Sequence, residues 1–138
     1  MQESARVEEW LYTVLSGDAA LAALVSGVYG YLAPQGTASP WVTFSHQAGT
    51  DVMVVGTARI MTNFLYQVKA TGSGESMAAL KAVADRIDAV LQAASGTVSD
   101  GRIISCVREQ DLVMVETDLS GTRWNHAGGI YRIYAQPL

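Results

Sequence analysis

The sequence predicts a single α+β domain, with a mainly antiparallel sheet, a long helix packed on one face and a helical N-terminus. Two patterns predict this fold class. In residues 59–71 apolar and polar side chains alternate, as in a strand with one buried face. In residues 75–94 apolar side chains recur at steps of three and four, as in an amphipathic helix. The whole chain, 1–138, fits one domain of ordinary size.

Two helices are predicted before the first strand. Residues 4–15 place apolar side chains at helical spacing, and Gly17 ends this helix. Asp18 can accept hydrogen bonds from free backbone N–H groups, so it should cap a second, short helix that reaches Val25. The apolar stripe of the later, long helix consists of Met77, Leu80, Ala84, Ile87 and Leu91.

The other strands are predicted from short apolar alternations bounded by turn residues. They are residues 28–32, 41–47, 102–109, 130–136 and a short segment at 112–115. Glycine, proline and small polar residues concentrate in the predicted connections, which are 33–40, 48–57 and 120–129. The apolar stretch inside 48–57 is equally compatible with a long hairpin.

Composition limits the possible partners. Charged residues make up 16% of the chain, well below the usual ~25%, so a partner could cover part of the surface. The net charge is −4, and none of the nine Lys and Arg residues adjoin, which argues against nucleic-acid binding and polybasic membrane attachment. A single cysteine favours a reducing compartment such as cytoplasm. No signal peptide and no membrane span are predicted.

No combination of residues predicts an enzyme, a cofactor or a metal site. Ser45, His46 and Asp51 include the residue types of a triad, but adjacent strand residues point to opposite faces, so Ser45 and His46 should not meet. His126 lies in a predicted flexible turn, and Cys106 is predicted to be a buried structural thiol. We therefore predict no catalytic, no cofactor-binding and no metal-binding residues.

Four carboxylates lie within ten residues that contain no Lys or Arg: Glu109, Asp111, Glu116 and Asp118. Clustered carboxylates can bind a hard cation such as calcium, but the spacing and glycine of a calcium loop are absent. A solvated acidic edge, or an electrostatic surface for a partner, is the preferred interpretation.

Two apolar features favour an interaction protein. One is the apolar stretch in the connection 48–57, and the other is a pair of apolar residues on the polar face of the strand 59–71. With the acidic segment and the tryptophan of the last loop, they give the candidate interface residues Val52, Met53, Val54, Val55, Met61, Leu65, Asp111, Met114, Glu116 and Trp124.

The order of several short phrases resembles the tail completion, or tail terminator, proteins of long-tailed bacteriophages. Residues 18–25 follow a first helix, and residues 33–36 lead to Ser-Pro-Trp-Val at 39–42, before a strand. Gln-Val at 67–68 precedes a helix that contains 82–87. Residues 108–112 come next, and the chain ends on the strand at 130–132. The resemblance runs from about residue 7 to 136, and the loop around Trp124 and His126 departs from it.

This resemblance implies a structural virion protein at the head-proximal end of the tail, made in the bacterial cytoplasm. It implies a homohexameric ring that caps the tail tube, stops its growth and offers a surface for head joining. The implied partners are the chain itself, the tail tube protein and head–tail connector proteins, with DNA passing the lumen unread. An acidic chain without a basic patch agrees with such passage.

Two other functions remain open at this point. One is a different head–tail connector or neck protein, which would differ in the partner that it holds. The other is a small-ligand-binding domain whose site would combine aromatic side chains. The candidate side chains for that site are Tyr31, Trp41, Tyr66 and Trp124.

Overall fold

The structure is a computed structural model that describes residues 2–137, so Met1 and Leu138 of the predicted domain lie outside the described residues. Three helices and one six-stranded sheet make up the fold. The helices are α1 (Gln2–Ser16), α2 (Ala19–Ala22) and α3 (Met77–Leu91). The strands are β1 (Val28–Gly30), β2 (Trp41–Met53), β3 (Arg59–Gly72), β4 (Gly96–Val98), β5 (Gly101–Thr117) and β6 (Arg123–Pro137).

The α+β class is as predicted, but the sheet is mixed. Its order is β1-β2-β3-β6-β5-β4. The pair β1–β2 is parallel, whereas the other four neighbouring pairs are antiparallel. The loop between β1 and β2 carries the chain back before the next strand begins, which allows the parallel pair. The predicted long helix 75–94 is shorter, because α3 has 15 residues, the same length as α1.

Three strands are longer than the sequence predicts. β2 runs on to Met53, so the predicted connection 48–57 is mostly one arm of a long hairpin. The segments 102–109 and 112–115 join in one strand, β5, through a bulge between Arg108 and Gln110. The predicted loop 120–129 is mostly β6, which begins at Arg123. Cross-strand partners outweigh local propensity in these segments.

Two glycines explain why the start of β6 resembles a loop in sequence. Gly128 lies so close to β3 that a Cβ atom there would be 2.1 Å from the carbonyl oxygen of Val68. A Cβ atom on Gly129 would meet Arg108 at 2.8 Å. Glycine inside a strand often marks such close approach of a neighbouring backbone rather than a turn.

All the packing of the core lies on one face of the sheet, where α1 and α3 cover it. Alternate residues of β3 point into this core, among them Phe64, Tyr66 and Val68, as the sequence pattern predicts. The helices contribute the fully buried side chains Val7, Leu11, Leu15, Leu80, Ile87 and Leu91. We call the opposite face of the sheet, which no helix covers, the open face.

Asp18 caps α2 as predicted, although α2 ends at Ala22 and not at Val25. Its carboxylate accepts the N–H of Leu21 at 2.9 Å and forms an ion pair with Arg86 of α3 at 2.7 Å. The hydrogen bond from Arg86 lowers the pKa of Asp18 to about 2. This cap therefore also connects the N-terminal helices to α3.

We expect Leu80→Ala or Ile87→Ala to lower the free energy of unfolding by about 2–5 kcal/mol, because each leaves a cavity in the core that neighbours fill only partly. The exposed Lys81 of the same helix is the matched control, and Lys81→Ala should change stability by less than about 0.5 kcal/mol. Urea unfolding followed by circular dichroism measures both. Equal losses at Lys81 and Ile87 would contradict this assignment of the buried face.

Candidate interaction surfaces

The hairpin between β2 and β3 extends beyond the rest of the sheet. Pairing of β3 with β6 begins at Thr62, whereas β2 and β3 still pair at Met53 and Arg59. We call residues 52–58 the β2–β3 tip. In the tip Val55 is fully exposed, and Met53 and Val54 are 49% and 42% exposed. The predicted interface residues Val52–Val55 therefore form an apolar tip at one end of the sheet.

The base of this hairpin is held by charged groups. Arg59 contacts the buried carboxylate of Glu3 at 2.9 Å and the exposed carboxylate of Asp51 at 3.5 Å. The hydroxyl of Thr62 donates to Asp51 at 3.1 Å. These contacts connect the base of the hairpin to the first turn of α1, and they hold in place the part of the hairpin that carries the tip.

A cleft of about 170 Å³ lies beside this base, with His46 among its lining residues. Nε2 of His46 is buried and has no hydrogen-bond partner among residues 2–137, and its ring packs against Phe64 and Tyr66. Ser45 Oγ accepts a hydrogen bond from Gln47, and Asp51 is bound to Thr62. Ser45, His46 and Asp51 thus have separate partners, consistent with the rejection of a triad.

The open face carries half-buried apolar side chains on four strands. Met61 of β3 lies directly across from Val52 of β2, and Leu65 lies on the same face. Further half-buried apolar residues on this face are Leu112, Met114, Ile130 and Tyr134. The structure therefore groups four of the predicted interface residues, Val52, Met61, Leu65 and Met114, on one uncovered face.

His126 lies in β6 on the open face, not in a flexible turn as the sequence suggests, and it is only 5% exposed. Its Nδ1 is 3.0 Å from the hydroxyl of Thr71, and its Nε2 is 2.5 Å from Glu116. Burial and the nearby Lys69 lower the pKa of His126, while Glu116 opposes that shift. Burial also lowers the pKa of Lys69.

The turn between β5 and β6 is built around one carboxylate. Asp118 accepts hydrogen bonds from Ser120 at 2.7 Å, from the N–H of Thr122 at 3.0 Å and from the indole of Trp124 at 3.1 Å. These hydrogen bonds, led by that of the Ser120 hydroxyl, lower the pKa of Asp118 to about 2. The side chain of Leu119 is fully exposed at the apex of this turn.

Trp124 is half-buried, and its ring lies 5.5 Å from that of Trp41, between centroids. Tyr31 and Tyr66 instead meet through Glu8, which accepts from their hydroxyls at 2.7 and 2.9 Å. The two aromatic pairs lie apart, because Tyr66 points into the core and Trp124 lies on the open face. The four aromatic residues therefore do not form the shared ligand site considered from sequence.

The four clustered carboxylates have different surroundings. Glu109 pairs with Arg132, Glu116 contacts His126 and Asp118 holds the turn. Asp111 is exposed, on the face opposite to Glu116. Among the residues that the structure describes, no group of three or more His, Cys, Asp or Glu side chains could hold a metal ion.

Cys106 is fully buried in β5, as the sequence predicts. Burial raises the pKa of its thiol to about 12, and the nearby Asp88 adds to this shift. Within residues 2–137 no helix is both long and apolar enough to span a bilayer.

Sequence reasoning did not identify Thr71 and Lys69 as neighbours of His126, or Leu119 as an exposed apex. Thr71 is 55 residues from His126 in sequence, so no local pattern could join them. Leu119 could have been identified as an apolar residue between turn-forming Asp118 and Ser120.

An apolar hairpin tip and an uncovered, partly apolar sheet face define a protein that works by assembling with other proteins. Comparison with known proteins agrees with this class. Residues 9–128 match the family model described as "Tail completion protein gp17", so the chain belongs to the tail completion protein gp17 family and has a structural role in a phage tail.

Solved structures give the same fold. A chain of the "Virion of native gene transfer agent (GTA) particle" superposes with a TM-score of 0.79 at 19% sequence identity, and 97% of each chain is covered. No curated protein sequence matches significantly. At this identity the structural likeness concerns the fold alone.

We expect the Cys106 thiol of the native protein to resist a thiol reagent at pH 8, because it is buried and its pKa is raised to about 12. The reaction should become complete in denaturant. Colour release from an aromatic disulfide reagent measures both states. Rapid labelling of the native protein would show that β5 opens at this position.

We expect the imidazole of His126 to titrate below its ordinary value in the folded protein. Because the unfolded chain binds that proton more readily, this residue's contribution to stability is complete above about pH 6.5 and falls as the pH is lowered through the folded pKa. Glu116→Gln should lower the pKa further, and Lys69→Met should raise it. Histidine NMR shifts measure all three, and opposite shifts in the variants would contradict this account.

Proposed function

We propose that this protein is the terminator of a phage tail: a ring at the head-proximal end of the tail tube that stops tube growth and offers a surface for head joining. The ring is a homohexamer. Its partners are the tail tube protein on one side and head–tail connector proteins on the other. Membership of the tail completion family supports this proposal, because completion of a tail requires contact with its last tube layer.

The β2–β3 tip is the observation that carries this proposal. It places Met53, Val54 and the fully exposed Val55 on an arm that Arg59 and Glu3 hold in place. Exposed apolar side chains on a strand end promote aggregation unless a partner covers them. An apolar tip that is held in place in this way is suited to a permanent contact with the tube or with a neighbouring copy.

The open face provides a second contact region. Its apolar residues are half-buried and alternate with polar ones such as Asn63 and Gln67. Interfaces between protein subunits commonly combine apolar centres with polar rims. We assign Val52, Met61, Leu65 and Met114 to interfaces on this face, and Asp111, Glu116 and Trp124 to the neighbouring β5–β6 hairpin.

The charge of the chain suits the passage of DNA through the ring. The net charge is −4, and in the described residues several cations are neutralised by carboxylates, including Arg59, Arg86 and Arg132. A ring of chains with a net negative charge binds phosphates weakly, since counterion release supplies most non-specific affinity. DNA can then slide through without being held or read.

The virion of the gene transfer agent is a particle in which a chain of this fold is present. It supports the location of this chain within a virion. A different connector or neck protein is the second candidate from the sequence, and the partner that the apolar tip contacts separates the two. Contact with the tube protein favours the terminator.

We expect Met53→Asp with Val55→Asp to leave a folded chain that cannot complete tails. Both side chains are exposed, so the fold should lose less than about 1 kcal/mol, whereas buried charges would oppose any contact made by the tip. Electron microscopy of lysates should show tubes of uncontrolled length or tails without heads.

The matched control carries the same two added charges on the exposed side of α3, as Ala78→Asp with Ala82→Asp. This control should complete tails normally. Normal particles from the tip variant would exclude the tip as an interface, and a single copy of the chain per particle would exclude the ring.

A further inference from the structure

The sheet has two long unpaired edges. β1 pairs with β2 only from Val42 to Phe44, and β4 pairs with β5 only from Gly101 to Ile103. Two further main-chain groups of β5 are hydrogen-bonded. The carbonyl of Cys106 accepts from the N–H of Ala93, and the N–H of Arg108 donates to the side chain of Gln92. We call residues 47–53 the β2 edge and residues 109–117 the β5 edge, since neither pairs outward with another described segment.

Neither edge has the lysine or proline residues that often prevent edge-to-edge pairing. Residues 47–53 and 109–117 contain no lysine, arginine or proline. Two exposed valines, Val113 and Val115, stand on the β5 edge at 51% and 50% exposure. Natural sheets protect exposed edges with lysine, proline or a covering segment, and an unprotected edge is a template for another strand.

The two edges lie at opposite ends of the sheet. Residue pairing across β2, β3, β6 and β5 places His46 level with Tyr66, Tyr131 and Arg108. The β2 edge extends from this level towards the β2–β3 tip. The β5 edge extends from the same level in the opposite direction, towards the turn at Asp118.

Strand direction selects the partner of each edge. β2 and β5 run antiparallel to each other, because three antiparallel pairings separate them. A cyclic ring whose axis follows the strands keeps their direction from copy to copy. The β5 edge of one copy then meets the β2 edge of the next in antiparallel orientation, as an ordinary ladder requires.

The displacement between the edges agrees with a closed barrel. Four strands per copy at about 4.8 Å give a repeat of about 19 Å across the strands. Barrel strands tilt by about 35–45°, which displaces successive copies by about 13–19 Å along the strands, or about four to six residues. After a displacement of that size, the β2 edge of one copy lies beside the start of the β5 edge of its neighbour.

Charge disfavours the pairing of two β5 edges. The β5 edge carries Glu109, Asp111 and Glu116, so two such edges side by side would bring like charges together. The β2 edge carries only Asp51, whose carboxylate is already bound by Thr62 and Arg59. The β2 edge is therefore the better partner.

We propose that the β5 edge of one copy pairs with the β2 edge of the next, so that the sheets join into one closed barrel around the lumen. The inference rests on the proposed ring, which it deepens by naming the contact between neighbours. The barrel places the helices outside and the open face inside, because α1 and α3 occupy the other face of every sheet. The apolar contacts assigned to the open face then lie at the joint between copies, where Val52 of one β2 edge, with Met61 across from it, approaches the β5 edge that carries Met114.

Disulfide trapping tests this pairing in assembled tails. The shift of about five residues brings Thr50 opposite residues 110–112, and on that segment Gln110 and Leu112 share the open face with Thr50, whereas Asp111 does not. In a Cys106→Ser background, Thr50→Cys is combined with Gln110→Cys, Leu112→Cys or Asp111→Cys. The last combination is the matched control.

On mild oxidation, one of the open-face pairs should link chains into a ladder that ends at the full ring, with about tenfold more product than the Asp111 control. Rings or completed tails in which neither open-face pair links would overturn the edge pairing while the terminator function stands. Equal linking by the control would overturn it as well. If the chain is missing from tails altogether, the ring and the pairing both fall.

Discussion

The pairing of β3 with β6 is the contact on which the rest of the structure depends. It joins eleven residue pairs, from Thr62–Ala135 to Gly72–Asn125, and it connects two long hairpins into one sheet. Gly128 permits it, because any side chain there would collide with the backbone of β3. Without this central pair each hairpin would be an isolated two-stranded unit, which is marginally stable in water.

The same pairing determines where the two interaction regions lie. β3 and β6 pair over only part of their lengths. The β2–β3 hairpin therefore extends past this pairing at one end, and the β5–β6 hairpin extends past it at the other. The helices occupy one face, so their packing leaves the second face and both outer edges uncovered. The outer edges are free because β1 and β4, with three residues each, cover only short parts of them. An architecture that buries its core on one face and leaves edges uncovered is suited to assembly with other chains.

The positions of the charged side chains agree with a sheet that has one core face and one open face. The carboxylates that sequence grouped together are separated by the strand pleat, so Glu116 meets His126 on the open face and Asp111 points to the other side. Asp18, Asp51 and Asp118 each hold a local structure: a helix start, a hairpin base and a turn. These three aspartates therefore position backbone elements, and no group of carboxylates in the described part of the chain forms an ion site.

The sequence by itself determined the presence of the helices, though not their ends, the buried face of β3 and the family resemblance, which the family match confirmed. These depend on periodicity and on local capping, such as that of Asp18, which a linear pattern records. The tertiary structure decided the extents of β2, β5 and β6, the mixed sheet and the setting of His126. The reason is that cross-strand partners many residues away supply the hydrogen bonds and packing that hold those segments extended. The close approach of Gly128 to β3 and the contact of Thr71 with His126 exist only when the two strands lie side by side.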